Sequence, residues 1–326
     1  SFFRFLSPDT SHNQHNTTTS TKKMMIVRSL ARSNMRGACK TSFLAGASTF
    51  QTSSAISRGS SFQVPQRQLG TSEIERLVKE RNERGEKDAD HYTLKHPLWN
   101  DYDVKTVEIT HREPTSFLDK FAYRMIKTIR FNFDIMSGFS ILKHNEKIWL
   151  NRIIFLETVA AVPGSIAATL RHLGALRNME RDHGWIHTLL EEAENERLHL
   201  LTAVNVRRPG KIFRLAVFLS QGLFYNFFFV SYLISPKFCH RLVGYLEEEA
   251  VKTYTKCLEE IESGPLTHWK TMPAPEVARQ YWHLGENATM RDVILVIRAD
   301  EAHHRLVNHT FASMDKLEDN PFPPGH

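Results

Sequence analysis

Residues 192–202 read EAENERLHLLT and residues 298–309 read RADEAHHRLVNH. Each stretch contains a glutamate followed three residues later by a histidine, in a segment with the apolar spacing of an amphipathic helix. These two pairs are Glu196 with His199 and Glu301 with His304. Three residues of an α-helix turn by about 300°, so both side chains of a pair project from the same side of the helix. Each pair can therefore offer two ligands to a single metal site.

Two further glutamates stand alone in helical stretches, Glu157 and Glu247. Glu157 lies within the apolar run IIFLETVAAV, where an uncompensated carboxylate is costly to bury, so we expect it to be paired or to bind metal. The order Glu, Glu-x-x-His, Glu, Glu-x-x-His is the ligand set of ferritin-like di-iron carboxylate bundles. Carboxylates can bridge two metals, and the lack of thiolate ligands disfavours structural zinc. The pattern predicts two iron ions per chain.

The spacing alone does not select these pairs, because Glu108 with His111 and Glu180 with His183 have it too. The first extra pair lies in a segment without helical periodicity, and the second lies at a charged helix end. The two selected pairs each follow a helix that carries a glutamate in an apolar setting. A plain helical bundle with an incidental cluster of these residues is the alternative.

Helical spacing of apolar residues predicts six helices and no alternating strand pattern. We expect Pro163 and Gly164 to kink or interrupt the second helix. The predicted fold class is all-α, a ferritin-like four-helix bundle with a di-iron site, plus two amphipathic membrane-interface helices. The predicted helical ranges are 117–142, 146–180, 185–206, 211–234, 237–262 and 287–316.

The positive charge is concentrated at the start of the chain. Residues 1–72 contain nine Lys or Arg and one acidic residue, whereas the remainder has 33 basic and 35 acidic residues. The folded part is therefore nearly neutral, which argues against a nucleic-acid partner. The Arg-rich, Ser-rich, acid-poor segment 1–70 is typical of an organelle transit peptide, with a disordered basic tail as the alternative. The three cysteines form no CxxC pair, which argues against a disulfide scaffold.

Residues 215–235 read LAVFLSQGLFYNFFFVSYLIS, 21 residues without a charge. This length is sufficient to span a bilayer, but polar residues dilute the stretch and four basic residues precede it closely. We favour a helix that lies in the membrane interface, with the basic residues at the headgroups. A buried core helix and a spanning helix are the alternatives.

Tyr254 follows Glu247 by seven residues, nearly two helical turns, so both lie on the same helix face. This placement suits a redox-active phenol beside the metals. It suits equally a core tyrosine with one hydrogen bond, and spacing does not separate the two.

Four stretches resemble the mitochondrial alternative oxidases, the cyanide-insensitive ubiquinol oxidases. They are LETVAAVPG (156–164), EAENERLHLLT (192–202), GYLEEEAVKTYT (244–255) and RADEAHHRLVNH (298–309). The resemblance implies that Tyr254 is the catalytic tyrosine and that the first glutamate of the Glu247–Glu249 run binds iron. The iron ligands that it implies are Glu157, Glu196, His199, Glu247, Glu301 and His304.

The resemblance also implies a quinol pocket near the metals and a set of side chains that hold the ligand helices. The implied pocket residues are Arg152, Leu156, Leu246, Glu249 and Thr253. The implied supporting residues are Asn195, Asp300 and Trp282. No cysteine occurs in residues 73–238, so thiol-linked activation by 2-oxo acids is not expected.

By this resemblance we expect a terminal oxidase that couples the oxidation of two ubiquinols to the four-electron reduction of O2 to water. We expect it to pump no protons and to be resistant to cyanide. We expect a homodimer on the matrix side of the mitochondrial inner membrane, entering one leaflet through helices near 117–142 and 207–229. The expected segments are a mitochondrial transit peptide or disordered leader (1–70), a charged segment and extended arm (71–116), the di-iron oxidase domain (117–316) and a Pro-rich tail (317–326).

Three other functions remain open at this point. A soluble fatty-acyl desaturase or an iron-storage protein uses the same ligand order on the same scaffold. A non-catalytic membrane protein with one spanning helix at 215–235 is the third possibility. The basic and apolar helices argue against the first two, because neither needs a membrane face.

Overall fold

A computed structural model describes Arg76, Lys79 and residues 93–325. The predicted leader lies outside the described residues. Of the charged segment 73–90, only Arg76 and Lys79 are described, and both are helical and exposed.

Eight α-helices and one short 3₁₀ helix lie between residues 93 and 325. In that range the only extended pairing is an isolated bridge between Pro273 and Thr289, so the all-α prediction is confirmed. The helices are α1 (Asp101–Lys105), α2 (Phe117–Met136), α3 (Glu146–Asn178), α4 (Trp185–Val206), α5 (Lys211–Ile234), α6 (Pro236–Ser263), α7 (Glu276–Tyr281) and α8 (Met290–Phe311), with the 3₁₀ helix at Thr267–Lys270.

Helices α3, α4, α6 and α8 form the four-helix bundle. Helix α3 packs along α4, and α6 packs along α8. Helix α2 packs on α6, while α5 packs on both α3 and α6. Two apolar clusters fill the interior, one containing Trp149 and Trp269 and the other containing Trp185, Phe228 and Phe311. This packing places the middle turns of the four bundle helices around a common centre.

Local capping sets the helix ends, both those that the apolar pattern predicted, such as the start of α2 at Phe117, and those that it did not. Helix α2 begins with a capping box formed by Ser116 and Asp119, and α8 begins with one formed by Thr289 and Asp292. Helix α2 stops well before residue 142, and Gly138 just beyond its end has a left-handed φ of 70°. The arm predicted as extended contains α1, which is too short to show periodicity.

Helix α3 runs unbroken through Pro163, so the predicted interruption is wrong. Proline removes one backbone hydrogen bond at a cost of about 3 kcal/mol. Packing along α4 and α5 offsets that cost, because tertiary contacts supply most helix stability. Gly164 permits this packing: a Cβ there would lie 2.5 Å from the Leu189 carbonyl oxygen and 3.2 Å from the Ala193 Cβ.

The exposed apolar side chains concentrate on α2 and α5. Two helices, α3 and α5, are long and apolar enough to cross a membrane by length and composition. Only 11% of the apolar window of α5 is buried, so the buried-core alternative for 215–235 is wrong. The exposed set includes Phe117, Phe121, Phe131, Ile135 and Met136 on α2, and Ile212, Leu215, Phe218, Leu219, Leu223 and Val230 on α5.

We expect Gly164→Ala to lower the free energy of unfolding by about 1–3 kcal/mol, because the added methyl group forces α3 away from the α4 backbone. Gly174→Ala in the same helix is the matched control, since its nearest neighbour would be Arg177 Nη2 at 4.0 Å. The control should be neutral or stabilising by up to about 1 kcal/mol. Urea unfolding followed by circular dichroism measures both. Equal effects of the two substitutions would contradict the close helix approach.

Candidate metal centre

The six side chains predicted as iron ligands converge in the middle of the bundle. Each of the four bundle helices contributes, because the residues lie on the side that each helix turns to the bundle interior. All six are 5% exposed or less. They are Glu157 from α3, Glu196 and His199 from α4, Glu247 from α6, and Glu301 and His304 from α8.

The ligand atoms lie close enough to share bound cations. His199 Nδ1 is 3.3 Å from Glu157 Oε2 and 3.5 Å from Glu301 Oε1. His304 Nδ1 is 2.9 Å from Glu196 Oε1. In Glu157, Glu196, His199 and Glu301, one ligand atom each lies within 4.8 Å of the others. Such spacing is that of a metal-binding cluster.

Several of these buried polar atoms make no hydrogen bond. They are Glu157 Oε2, both carboxylate oxygens of Glu196, His199 Nδ1 and Glu301 Oε2. An unsatisfied buried polar atom costs about 1–3 kcal/mol, more when it is charged. Four carboxylates and two imidazoles are the donors that iron accepts in bundle proteins. The residues present therefore fit a di-iron centre.

Electrostatics in the centre favour a bound cation. Burial, together with the Glu196 carboxylate, raises the pKa of Glu157, Glu247 and Glu301 well above the usual glutamate value. Burial lowers the pKa of His304, but the Glu196 carboxylate outweighs it and raises the pKa to about 9. Without a cation, burial and the Glu196 charge favour the protonated form of these three glutamates, and a bound cation would favour their ionised form.

The Glu247–Glu249 run directs its three side chains to different surroundings, since successive helical residues are about 100° apart. Glu247 lies beside the Glu301 carboxyl in the centre. Glu248 Oε2 lies 2.6 Å from His111 Nδ1, and Glu248 also contacts His309. Only the first glutamate of the run faces the metal cluster. The extra pair Glu108/His111 thus supplies a contact for the arm.

Tyr254 lies against the ligand cluster. Its hydroxyl donates a hydrogen bond to Glu157 Oε1, and the side chain is buried. Burial and the nearby carboxylates raise the pKa of Tyr254 well above 10, so the phenol remains protonated. A neutral phenol is thereby held against a candidate ligand.

Asp300 organises the side chains behind His199. Its carboxylate accepts hydrogen bonds from Trp282 Nε1 at 2.8 Å and Asn195 Nδ2 at 3.0 Å, and lies 3.1 Å from His199 Nε2. Its other oxygen accepts from Trp99 Nε1 at 2.5 Å. Sequence reasoning missed Trp99, because a single tryptophan in a short arm carries no periodic signal.

The predicted quinol-pocket residues lie where α2 meets α3 and α6. Arg152 Nη2 is 2.6 Å from Asp134 Oδ1, and Thr253 Oγ1 accepts a hydrogen bond from Arg130 Nη1 at 2.9 Å. Arg130 also pairs with Asp134 and lies 3.8 Å from Glu249. Arg130 and Asp134 were not predicted, although their spacing on α2 allows an ion pair. The remaining predicted pocket residues, Leu156 and Leu246, are half-buried.

Comparison with known proteins supplies the family. The family model described as alternative oxidase matches residues 99–313. The chain belongs to the alternative oxidase family. It is 51% identical over 230 residues to "Alternative oxidase, mitochondrial" of Trypanosoma brucei brucei, which covers 69% of this chain and 70% of the relative.

Two fungal alternative oxidases give the same result. The chain is 48% identical over 242 residues to the protein of Emericella nidulans and 47% identical over 239 residues to that of Aspergillus niger. Each match covers 70% of this chain and 68% of the relative, and both relatives are named mitochondrial. Membership of the alternative oxidase family supports the function of a terminal oxidase, an oxidoreductase.

We expect Asp300→Asn to weaken metal binding about 10- to 100-fold, the usual effect of losing a partner of a ligand histidine. An amide supplies one acceptor oxygen where the carboxylate supplies two, and it turns an N–H group toward buried donors. Titration of the metal-free protein with Co²⁺, followed by visible absorbance, measures the affinity. Asp101→Asn, whose side chain is 93% exposed, is the control. Unchanged affinity in Asp300→Asn would contradict the supporting role of Asp300.

Proposed function

We propose that this chain is a terminal ubiquinol oxidase of the mitochondrial respiratory chain. It would couple oxidation of two ubiquinols to four-electron reduction of O2 to water, without proton pumping and with resistance to cyanide. The convergence of six ligand-type side chains, with unsatisfied donor atoms, in an alternative oxidase fold carries the proposal. No specific observation favours a desaturase or an iron-storage protein.

Two iron ions per chain would be held by the six converging side chains, as the ligand order of the fold class predicts. When bound, the metals would supply the electron transfer between quinol and O2, which no side chain performs alone. The proposed ligands are Glu157, Glu196, His199, Glu247, Glu301 and His304.

The side chains around the ligands have separate tasks. Tyr254 holds a proton on its hydroxyl oxygen and donates that hydrogen bond to Glu157, so proton and phenol are in place beside the centre. Asp300 fixes the orientation of the His199 imidazole through Nε2, leaving Nδ1 for a metal. Asn195 and Trp282 anchor that carboxylate. Catalysis then depends on positions that the bundle sets in advance.

We propose that ubiquinol binds between α2 and the α3–α6 face. Glu249 and Thr253 offer polar atoms to the quinol oxygens, while Leu156 and Leu246 offer apolar surface to the ring. Arg152 is 2% exposed and held by Asp134, so it can support the pocket rigidly. The pocket adjoins α2, whose apolar face is exposed, and a lipid-soluble substrate would arrive from that side.

We propose that α2 and α5 lie in one leaflet of the inner membrane, on the matrix side. Both helices expose large apolar side chains that the fold leaves uncovered, and such surfaces mark membrane or partner contacts. Arg207, Arg208, Lys211 and Arg214 lie at the start of α5, where phospholipid headgroups would meet them. A chain bound to one leaflet has no relay across the membrane, in keeping with a reaction that pumps no protons.

A homodimer and a cleaved leader complete the proposal. Leu173 and Leu176 on α3 and Leu190 on α4 are exposed, and a second copy could cover them. We propose that residues 1–70 act as the mitochondrial transit peptide, because they carry basic residues with almost no acidic ones.

The purified chain should contain about two irons, by the ligand count, and should oxidise ubiquinol in the presence of cyanide. Glu157→Ala should lose both iron pairing and oxidase activity. Tyr254→Phe is the matched variant, since it should keep the iron but lose activity at least about tenfold, the size expected for a proton-donating group. Iron analysis and oxygen consumption give the two readouts. An iron-free chain, or an oxidase activity that cyanide inhibits, would contradict the proposed function.

Phe218→Glu should weaken binding to vesicles of anionic phospholipid at least about tenfold, because a buried Phe contributes roughly 1.5–3 kcal/mol. Leu317→Glu changes another exposed apolar residue, outside α2 and α5, and should have no effect. Vesicle flotation measures both variants. If protease cleaved the vesicle-bound chain from both faces of sealed vesicles, the chain would instead span the membrane.

A further inference from the structure

A small, partly open cleft lies between α4 and α8 and reaches the proposed ligand His304 of the candidate metal centre. The arm residues His96 and Pro97 stand at one end, and His304 forms part of its lining. The other lining residues used below are Glu191, Glu192, Asn195 and Asp300. The mechanism proposed above uses neither Glu191 nor Glu192.

The two carboxyls stand at different depths along this cleft. Glu191 Oε2 is 3.4 Å from Nδ1 of the half-buried His187 and accepts a hydrogen bond from the Gly325 amide of the C-terminal tail. Glu192 accepts a hydrogen bond from Asn308 Nδ2 on α8. Glu191 therefore marks the outer end and Glu192 the inner end.

Neither carboxyl is neutralised by a lysine or an arginine, and the basic groups that act on them are the imidazoles of His187 and His304. Between residues 93 and 325, no lysine or arginine forms an ion pair with Glu191 or Glu192. Both residues are less than 8% exposed. Buried carboxyls without cationic partners are costly unless a cation visits them.

Asn195 provides independent evidence that the cleft binds a ligand. Its amide nitrogen donates to Asp300 and to the Tyr281 hydroxyl, but its Oδ1 makes no hydrogen bond. Asn195 is 2% exposed and lines the cleft. Nearly all buried polar atoms have partners, so an amide oxygen left without one indicates a ligand in the cleft that can contact this oxygen atom.

The opposite approach to the centre is electrostatically unfavourable for cations. Lys127, Arg130 and Arg152 lie where α2 covers α3 and α6. A divalent cation arriving there meets these three basic side chains, which Asp134 and Glu249 offset only in part, and the exposed apolar face of α2. The acidic cleft lies between α4 and α8, whereas α2 and α5 pack on α3 and α6. Charge of one sign along a cleft raises the arrival rate of the opposite ion.

We infer that this cleft is the entry route for the divalent metal ions of the centre, with Glu191 as the outer and Glu192 as the inner transient ligand. From Glu192 the ion passes to Glu196 and His304, whose atoms are already 2.9 Å apart. Carboxylate oxygens suit transient binding, because they bind Fe²⁺ less tightly than soft thiolate ligands do. The inference rests on the proposed metal centre and adds residues that are not permanent ligands.

The test follows Co²⁺ uptake by the metal-free full-length chain in stopped-flow absorbance. Glu191→Gln and Glu192→Gln should each slow uptake about tenfold at low salt, the lower end of electrostatic steering effects, and leave about two metals bound at completion. Glu259→Gln, an exposed glutamate on α6, changes the charge equally and should leave the rate unchanged. Glu192→Asp should restore much of the rate.

Each remaining outcome decides between the two proposals. Wild-type uptake rates in both glutamine variants would overturn the entry route while leaving the centre intact. A lower final metal content at an unchanged rate would also overturn it, since Glu192 would then be a permanent ligand. A wild-type chain that binds no Co²⁺ or Fe²⁺ contradicts the proposed function itself. If Glu192→Gln does not fold, the rate of Co²⁺ uptake by Glu191→Gln, at the outer end, tests the entry route by itself.

Discussion

Burying four carboxylates and two imidazoles in one bundle interior is the constraint on which the rest of this structure depends. When ionised, Glu157, Glu247 and Glu301 repel the Glu196 carboxylate, whose charge His199 and His304 offset. Long amphipathic helices supply the apolar burial that tolerates this cost. The close α3–α4 packing at Gly164 and the hydrogen bonds to Asp300 keep the groups converging. A bound cation would convert the repulsion into attraction, which links the fold to metal binding.

The two sides of the centre differ in chemistry. On the side covered by α2, basic residues and exposed apolar surface suit a lipid-soluble reductant. Between α4 and α8, carboxyls and an unsatisfied amide oxygen suit small hydrated ions. A four-helix bundle can separate these approaches because each pair of neighbouring helices forms its own groove. If the proposed membrane face and metal entry route are correct, the one buried centre would be reached separately from membrane and from water.

Helix positions were largely predictable, because apolar periodicity is a local property that survives folding. The bounds of α4 and α5 agree with the predicted ranges, and those of α6 differ by one residue at each end. The ends of α2 and α8 were predicted less well, since caps and the left-handed Gly138 depend on single residues. Of the kink or interruption predicted at Pro163, the interruption was wrong, because a proline's local cost is known from sequence, whereas the packing that offsets it is not.

The sequence by itself determined the helical class, the basic leader and the set of glutamates and histidines suited to iron, since residue type and spacing are written along the chain. Only the tertiary structure decided which oxygens lack partners, and that Trp99 reaches Asp300. It alone brought Glu191 and Glu192 to one cleft with His304. Such contacts join residues far apart in the chain, and their distances follow from how helices pack rather than from any local pattern.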